Sequence, residues 1–231
     1  TALDTKGYWF RTFPSALSLG NVLASQIWGE GGREVVILYV NDVFGRGLSD
    51  MVQREFNAMG GAVISAHPMD PSERHFRTIL SDVAASSPDA VVLIAYPQMG
   101  AAVVNEAAAI GGSWSWHLSH TLYSDVFARN VAPGITNRMV GVTPAVPMTD
   151  VGPFSADFSG RWPGEDPLVT TYFVYDALAV LLLAIEAAAQ SANTGLIPSA
   201  AEISSHLRSV SADSSGRKVA WYELSYGLDL V

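Results

Sequence analysis

The sequence predicts an α/β fold: a doubly wound parallel sheet between two layers of helices. Three observations predict it. Short apolar runs rich in β-branched residues recur along the first two thirds of the chain, and amphipathic helical patterns fill the gaps between them. Gly60-Gly61 and Gly111-Gly112 stand just past two of those helices, as C-terminal stops. Strand–helix–strand repetition with short links implies parallel strands joined by right-handed crossovers.

The elements follow in order. Leu19, Val22, Leu23, Gln26 and Ile27 recur at helical steps and open the pattern. Val35-Val36-Ile37-Leu38-Tyr39-Val40 then has the form of a strand covered on both faces. Leu48, Met51, Val52 and Phe56 give the next helix, and residues 62–66 the next strand. Phe76, Ile79, Leu80 and Val83 predict a third helix, before a strand at 90–95. Met99, Ala102, Val103, Glu106 and Ile110 predict a fourth, before strands at 116–119 and 139–143. Residues 13–146 therefore read as one complete α/β lobe.

Beyond Pro144 and Pro147 helices dominate, at 154–162, 170–190, 199–210 and 219–230. The third opens with a capping-box pattern, Ser199-Ala200-Ala201-Glu202, directly after Pro198. The 170–190 segment is hydrophobic almost all round, which predicts cover on every side. This stretch has no sheet of its own and reads as an incomplete domain.

Composition narrows the function. The 231 residues are 49 % hydrophobic and 15 % charged, enough to bury a large core. A net charge of −9, with Lys6 and Lys218 the only lysines, makes nucleic acid a poor partner. Cysteine is absent, which removes disulfides, thiolate metal sites and cysteine nucleophiles together. The longest apolar run, residues 177–185 between Asp176 and Glu186, falls short of the roughly 18 to 20 residues of a membrane span and predicts a buried helix. Residues 1–6 carry neither the basic nor the apolar region of a signal peptide.

Motifs for catalysis are wanting. No strand leads into Gly-x-Gly-x-x-Gly or a Walker-type Gly-Lys-Ser/Thr; Phe44-Gly45-Arg46-Gly47-Leu48 has the setting but only two glycines and an acidic neighbour, Asp42. His117 and His120 lie three apart on a strand end and loop, where that spacing does not share a face. His67 and His75 flank a turn-like Pro68-Met69-Asp70-Pro71-Ser72. Ser119-His120 lacks the strained elbow of an activated serine. The reading is no enzyme, no metal and no cofactor.

What remains are the loops at the carboxyl ends of the strands, where ligands of open α/β sheets bind. They are Asn41-Asp42-Val43-Phe44, Tyr96-Pro97-Gln98 and Ser119-His120-Thr121-Leu122-Tyr123, each mixing an aromatic with small polar groups. That composition suits a pocket for a small molecule.

Tyr8 to Ser15, reading Tyr-Trp-Phe-Arg-Thr-Phe-Pro-Ser, resembles the hinge-crossing segment of type I periplasmic solute-binding proteins. More narrowly, the chain is similar to the branched-chain amino acid (Leu/Ile/Val) family that feeds ABC transporters. Residues 36–48 resemble that family's first strand and loop in the second lobe. Gly60-Gly61-Ala62-Val63, Pro88-Asp89-Ala90-Val91-Val92 and Tyr175-Asp176-Ala177-Leu178 match further along, in order.

The resemblance implies two α/β lobes joined by three crossings, with the ligand closed between them. It divides the chain into a crossing at 1–12, the second lobe at 13–146 and a helical return into the first lobe at 149–231. On this reading the chain is a fragment lacking the first half of lobe one and the last crossing. It implies a periplasmic or extracytoplasmic protein, a small-molecule ligand (an amino acid, amide or carboxylic acid) and an ABC permease as partner, with membrane contact only through that permease. The alternative is a sensing or receptor domain of the same fold.

Site residues carry over in part. Phe44 falls where the family often places an aromatic against the ligand, Tyr96 at or one residue from another such position, and Thr170 or Thr171 where lobe one adds an apolar or aromatic contact. At the fourth strand's loop, amino-acid binders are expected to present a carboxylate to the ligand ammonium; this chain offers His120 and Thr121, with Asp42 or Asp125 as possible substitutes. That departure points toward an amide, a carboxylic acid or an aromatic acid.

Overall fold

The computed structural model describes residues 7–146, 148–192, 197–212, 216 and 220–230. The chain divides into two compact units, residues 14–144 and residues 1–13 with 145–231.

The first unit opens with α1 (Ala16–Gly29) and continues β1 (Glu34–Val40), α2 (Val43–Ala58), β2 (Ala62–Met69), α3 (Arg77–Ser86), β3 (Ala90–Ile94) and α4 (Pro97–Ala109). β4 (Ser115–Leu118), a 3-10 turn (His120–Leu122), α5 (Asp125–Asn130), a second 3-10 turn (Ile135–Arg138) and β5 (Met139–Gly141) complete it. All four strand pairings are parallel, in the order β2-β1-β3-β4-β5. The chain winds outward from β1 in both directions, so the order reverses between β1 and β3.

Strand periodicity sorts the core. Val36, Leu38, Val40, Val91, Leu93, Trp116 and Leu118 join Phe76 at the N-cap of α3, Leu80 of α3 and Val103 and Val104 of α4 in one buried cluster. Alternate residues Val35, Ile37, Val92 and Ile94 point to the opposite face and are likewise buried, as are Leu23, Ile27, Leu48, Val52 and Phe56 of α1 and α2. At full burial each such side chain is worth roughly 1.5 to 3 kcal/mol. The glycine stops behave as the spacing predicts: Gly60 and Gly111 take φ of +92° and +79°.

β2 runs three residues beyond its predicted end. His67, Pro68 and Met69, read from the sequence as the approach to a turn and the turn itself, pair with Leu38, Tyr39 and Val40. β2 is the edge strand, where a proline needs no donor partner on the open side. β5 stops earlier than predicted, at Gly141.

The second unit contains α6 (Met148–Arg161), α7 (Val169–Ala192), α8 (Ala200–Ala212), a 3-10 turn (Trp221–Glu223) and α9 (Leu224–Leu230). No strand occurs among its described residues. α6 begins earlier than the sequence pattern, with Pro153 inside its first turns; the predicted start of the last helix, Val219, lies outside the described residues. The capping box closes as predicted: the Ser199 N–H donates to the Glu202 carboxylate at 2.7 Å, and the Glu202 N–H to Ser199 Oγ at 3.4 Å. The N-terminal segment is tied in by Thr12, whose hydroxyl donates to the Phe173 carbonyl at 2.7 Å, and by Phe13, whose ring meets Phe173 edge-on at 5.1 Å.

α7 corrects two expectations. Ala184, Ala187 and Ala188 are buried, but Val174, Leu178, Leu181 and Leu182 are exposed, so the described residues do not cover it on every side. It also extends well past the apolar run, and its 23 residues Val169–Ser191 are long and apolar enough to cross a membrane. The core helix of a water-soluble domain has the same length and composition, so this property by itself assigns no membrane.

Candidate functional site

Three loops at the carboxyl ends of β1, β3 and β4 build the candidate site. After Val40 the chain turns directly into α2, with Asp42 as its N-cap: Asp42 Oδ1 accepts from the Gly45 N–H at 2.8 Å. Gly45 is required there, because a Cβ would run into the Val40 carbonyl oxygen. This cap places Phe44 at the second position of the helix, packed partly against the core cluster.

After β3, Tyr96 is the N-cap position of α4, with Pro97 at the first helical residue. The Tyr96 phenol donates to Asp42 Oδ2 at 2.9 Å. That bond, followed by burial, holds the phenol pKa above its usual range. After β4, the Ser119 N–H still donates to the Leu93 carbonyl at 3.0 Å before the chain enters the 3-10 turn.

The three loops converge through rings. The centroids of Phe44 and Tyr96 are 5.8 Å apart, and those of Phe44 and His120 are 5.5 Å apart with the rings nearly perpendicular. Burial holds the His120 imidazole below its usual pKa, in the neutral form at pH 7. Thr121 ties its loop to the end of β3. Its hydroxyl donates to the Ala95 carbonyl at 2.7 Å, and Ser119 Oγ lies 2.9 Å away. Thr170 and Thr171 belong to the other compact unit, in the first turn of α7, where Thr170 is exposed and the Thr171 N–H donates to the Leu168 carbonyl at 2.9 Å.

Of the two carboxylates weighed as substitutes for the missing acid, Asp42 lies in the ring cluster. Asp125 instead pairs with Arg129 one helical turn on, at 3.0 Å, and is largely exposed. The Asp42–Tyr96 bond is not visible in the sequence; the only local signal is the capping pattern Asp42-x-x-Gly45. His117 faces the opposite way from Trp116 and Leu118, with Nε2 3.5 Å from a Glu30 carboxylate oxygen at the end of α1. Among the described residues no group of three or more His, Asp or Glu is placed to hold a metal.

A separate cavity of about 470 Å³ opens at the other end of the sheet, beside Trp114, Trp116, Gly112, Gly134 and Ile135. None of the predicted site residues lines it.

A doubly wound lobe with an aromatic loop cluster at the reversal of strand order is the architecture of an open α/β ligand-binding module. The chain belongs to the periplasmic binding protein family, whose sequence model matches residues 1–223; it is a family of binding proteins, not enzymes. No curated protein matches it. Among solved structures it is similar to the leucine binding protein LivK of Thermotoga maritima, at TM-score 0.75 and 19% identity over 89% of this chain and 57% of that one. A putative branched-chain amino acid ABC transporter protein of Rhodospirillum rubrum matches at TM-score 0.70 and 19% identity, over 89% and 58%. An R. palustris ABC transporter solute binding protein in complex with benzoate matches at 0.69 and 15%, over 86% and 54%. At these identities the likeness is one of fold, that of the type I periplasmic binding proteins, and the chain spans less than two thirds of each of these proteins.

Proposed function

We propose that this chain is part of an extracytoplasmic solute-binding protein of an ABC transporter. It binds a small polar ligand, an amino acid or a related amide or carboxylic acid, and delivers it to a membrane permease. The carrying observation is the convergence of Phe44, Tyr96 and His120, from three separate loops, at the point where the strand order reverses. In this reading Phe44, Tyr96 and His120 form the wall against the ligand and Thr121 holds the fourth strand's loop in place. Thr170 and Thr171 supply contacts from the other lobe. Residues 1–12 act as a hinge crossing, 13–146 as the second lobe and 149–231 as the return into the first.

Binding between lobes shifts a hinge only when ligand contacts favour the closed state, so affinity must come from both lobes. The test is a thermal-shift panel on the longest native chain containing this sequence, with amino acids, amides and aliphatic and aromatic acids. A ligand at about a hundred times its Kd adds roughly 2.7 kcal/mol, a rise of several degrees in Tm. Silence across the panel would favour a sensing domain responding to other chemistry.

A further inference from the structure

We propose that the cavity at the amino end of β4 is a second binding site, for an uncharged planar aromatic molecule that carries an amide or hydroxyl group. Its volume of about 470 Å³ falls among those of small-molecule sites. It is separate from the strand-end loops, which stand at the other end of β4. α4 and its glycine stop contribute Val104, Ala108 and Gly111, Trp114 and Trp116 come from the start of β4, and Asn137 comes from the second 3-10 turn.

The cavity is held open by the fold. Trp116 is buried, Trp114 packs partly against the core cluster, and the two rings meet edge-on with centroids 5.7 Å apart. Gly112 lets the Trp114 ring lie against the backbone, since a Cβ there would stand 2.7 Å from Cη2. The chain leading to the 3-10 turn is pinned to α4 by Asn105. Its Nδ2 donates to the Asn130 carbonyl and its Oδ1 accepts from the Ala132 N–H, each at 2.8 Å. Gly111 and Gly134 take φ of +79° and +84°, and no atom lies within 4 Å of where either Cβ would be. A preformed cavity spares a ligand most of the ordering cost of binding. Its chemistry selects the ligand. None of the lining side chains ionises, so a charged molecule would lose hydration without gaining a partner. The paired indoles favour a flat ring, and the Asn137 amide offers both a donor and an acceptor to a polar substituent.

The competing reading is a packing gap that only water enters. Fluorine NMR of the full-length native protein labelled with 5-fluorotryptophan separates the two, with the signals assigned by Trp114→Phe and Trp116→Phe. The probes are three molecules of like shape: benzamide, benzoate and benzylammonium. Benzamide should move the Trp114 and Trp116 signals to saturation, and the two charged probes should bind at least about tenfold more weakly. Ala108→Leu changes an exposed position of α4 to a residue nearly as favourable in a helix, and its bulk should weaken benzamide at least about tenfold. Trp114→Leu should weaken it to a similar degree by removing the ring. Unliganded Tm shows that each variant is folded. Signals that stay still up to the solubility of benzamide, shifts confined to other tryptophans, or equal affinity for all three probes would overturn the proposal. So would benzamide affinity unchanged in both folded variants. The solute-binding reading stands or falls separately, since none of its residues lines this cavity.

Discussion

Tyr96 donates its phenolic hydrogen to Asp42 across 54 residues of chain, at 2.9 Å, and so ties the loop after β1 to the loop after β3. These two strands are sheet neighbours although β2 comes between them in sequence. The bond therefore bridges the point at which the winding reverses, where the first helices on either side diverge and leave a crevice. Asp42 makes the bond with one oxygen while its other oxygen caps α2, so helix start and loop position are set by one side chain.

That bond has a spectroscopic signature. Burial, then Asp176 and Asp157, raises the Tyr175 phenol pKa as Asp42 raises that of Tyr96, so the late-ionising part of an absorbance titration should include Tyr96. Asp42→Asn should return it toward about 10. An unchanged titration curve in the variant would show that the bond does not persist in solution.

Phe44 touches both other rings. If the proposed solute site is right, Phe44→Ala in the full-length protein should weaken ligand binding by about 2 kcal/mol, on the order of 30-fold, while leaving α2 folded. Undiminished affinity in a titration would move the site away from these loops.

Two glycines two residues apart should respond in opposite directions. Gly45→Ala puts a Cβ against the Val40 carbonyl and should cost about 2 kcal/mol or more. Gly47 has nothing within 4 Å of such an atom, and Gly47→Ala should stabilise α2 by up to about 1 kcal/mol. Chemical denaturation of both variants measures the contrast; equal effects would refute the close approach at Gly45.

His117 should make the first unit acid-sensitive. Its imidazole is buried, which depresses its pKa in the folded protein, against a smaller opposing pull from Glu30. The unfolded chain therefore binds the proton first. Stability is full above the ordinary histidine value of about 6.5 and falls as pH drops from there toward the depressed value. His117→Leu should flatten the Tm-against-pH curve in that window. A curve as steep as that of the wild type would assign the acid sensitivity to another group.

Much of this was legible locally. The alternation of apolar runs and helical periods, the stops at Gly60 and Gly111 and the box at Ser199 and Glu202 are signals spanning a few residues. The structure repeats them nearly in place. β2 escaped in part because Pro68 reads as a breaker until the strand is known to lie at an edge. α7 escaped in part because an all-round apolar period predicts cover without saying how much of it the chain itself supplies.

By itself, then, the sequence determined the elements, their order and the loops at the carboxyl ends of the strands, since propensity, period and capping act over one or two turns. Only the tertiary structure decided that Asp42 meets Tyr96, that Phe44 joins Tyr96 to His120 and that Asp125 is spent on Arg129. Those contacts depend on which strands become neighbours, and strand order is settled by packing the whole sheet between its helices rather than by any local run of residues.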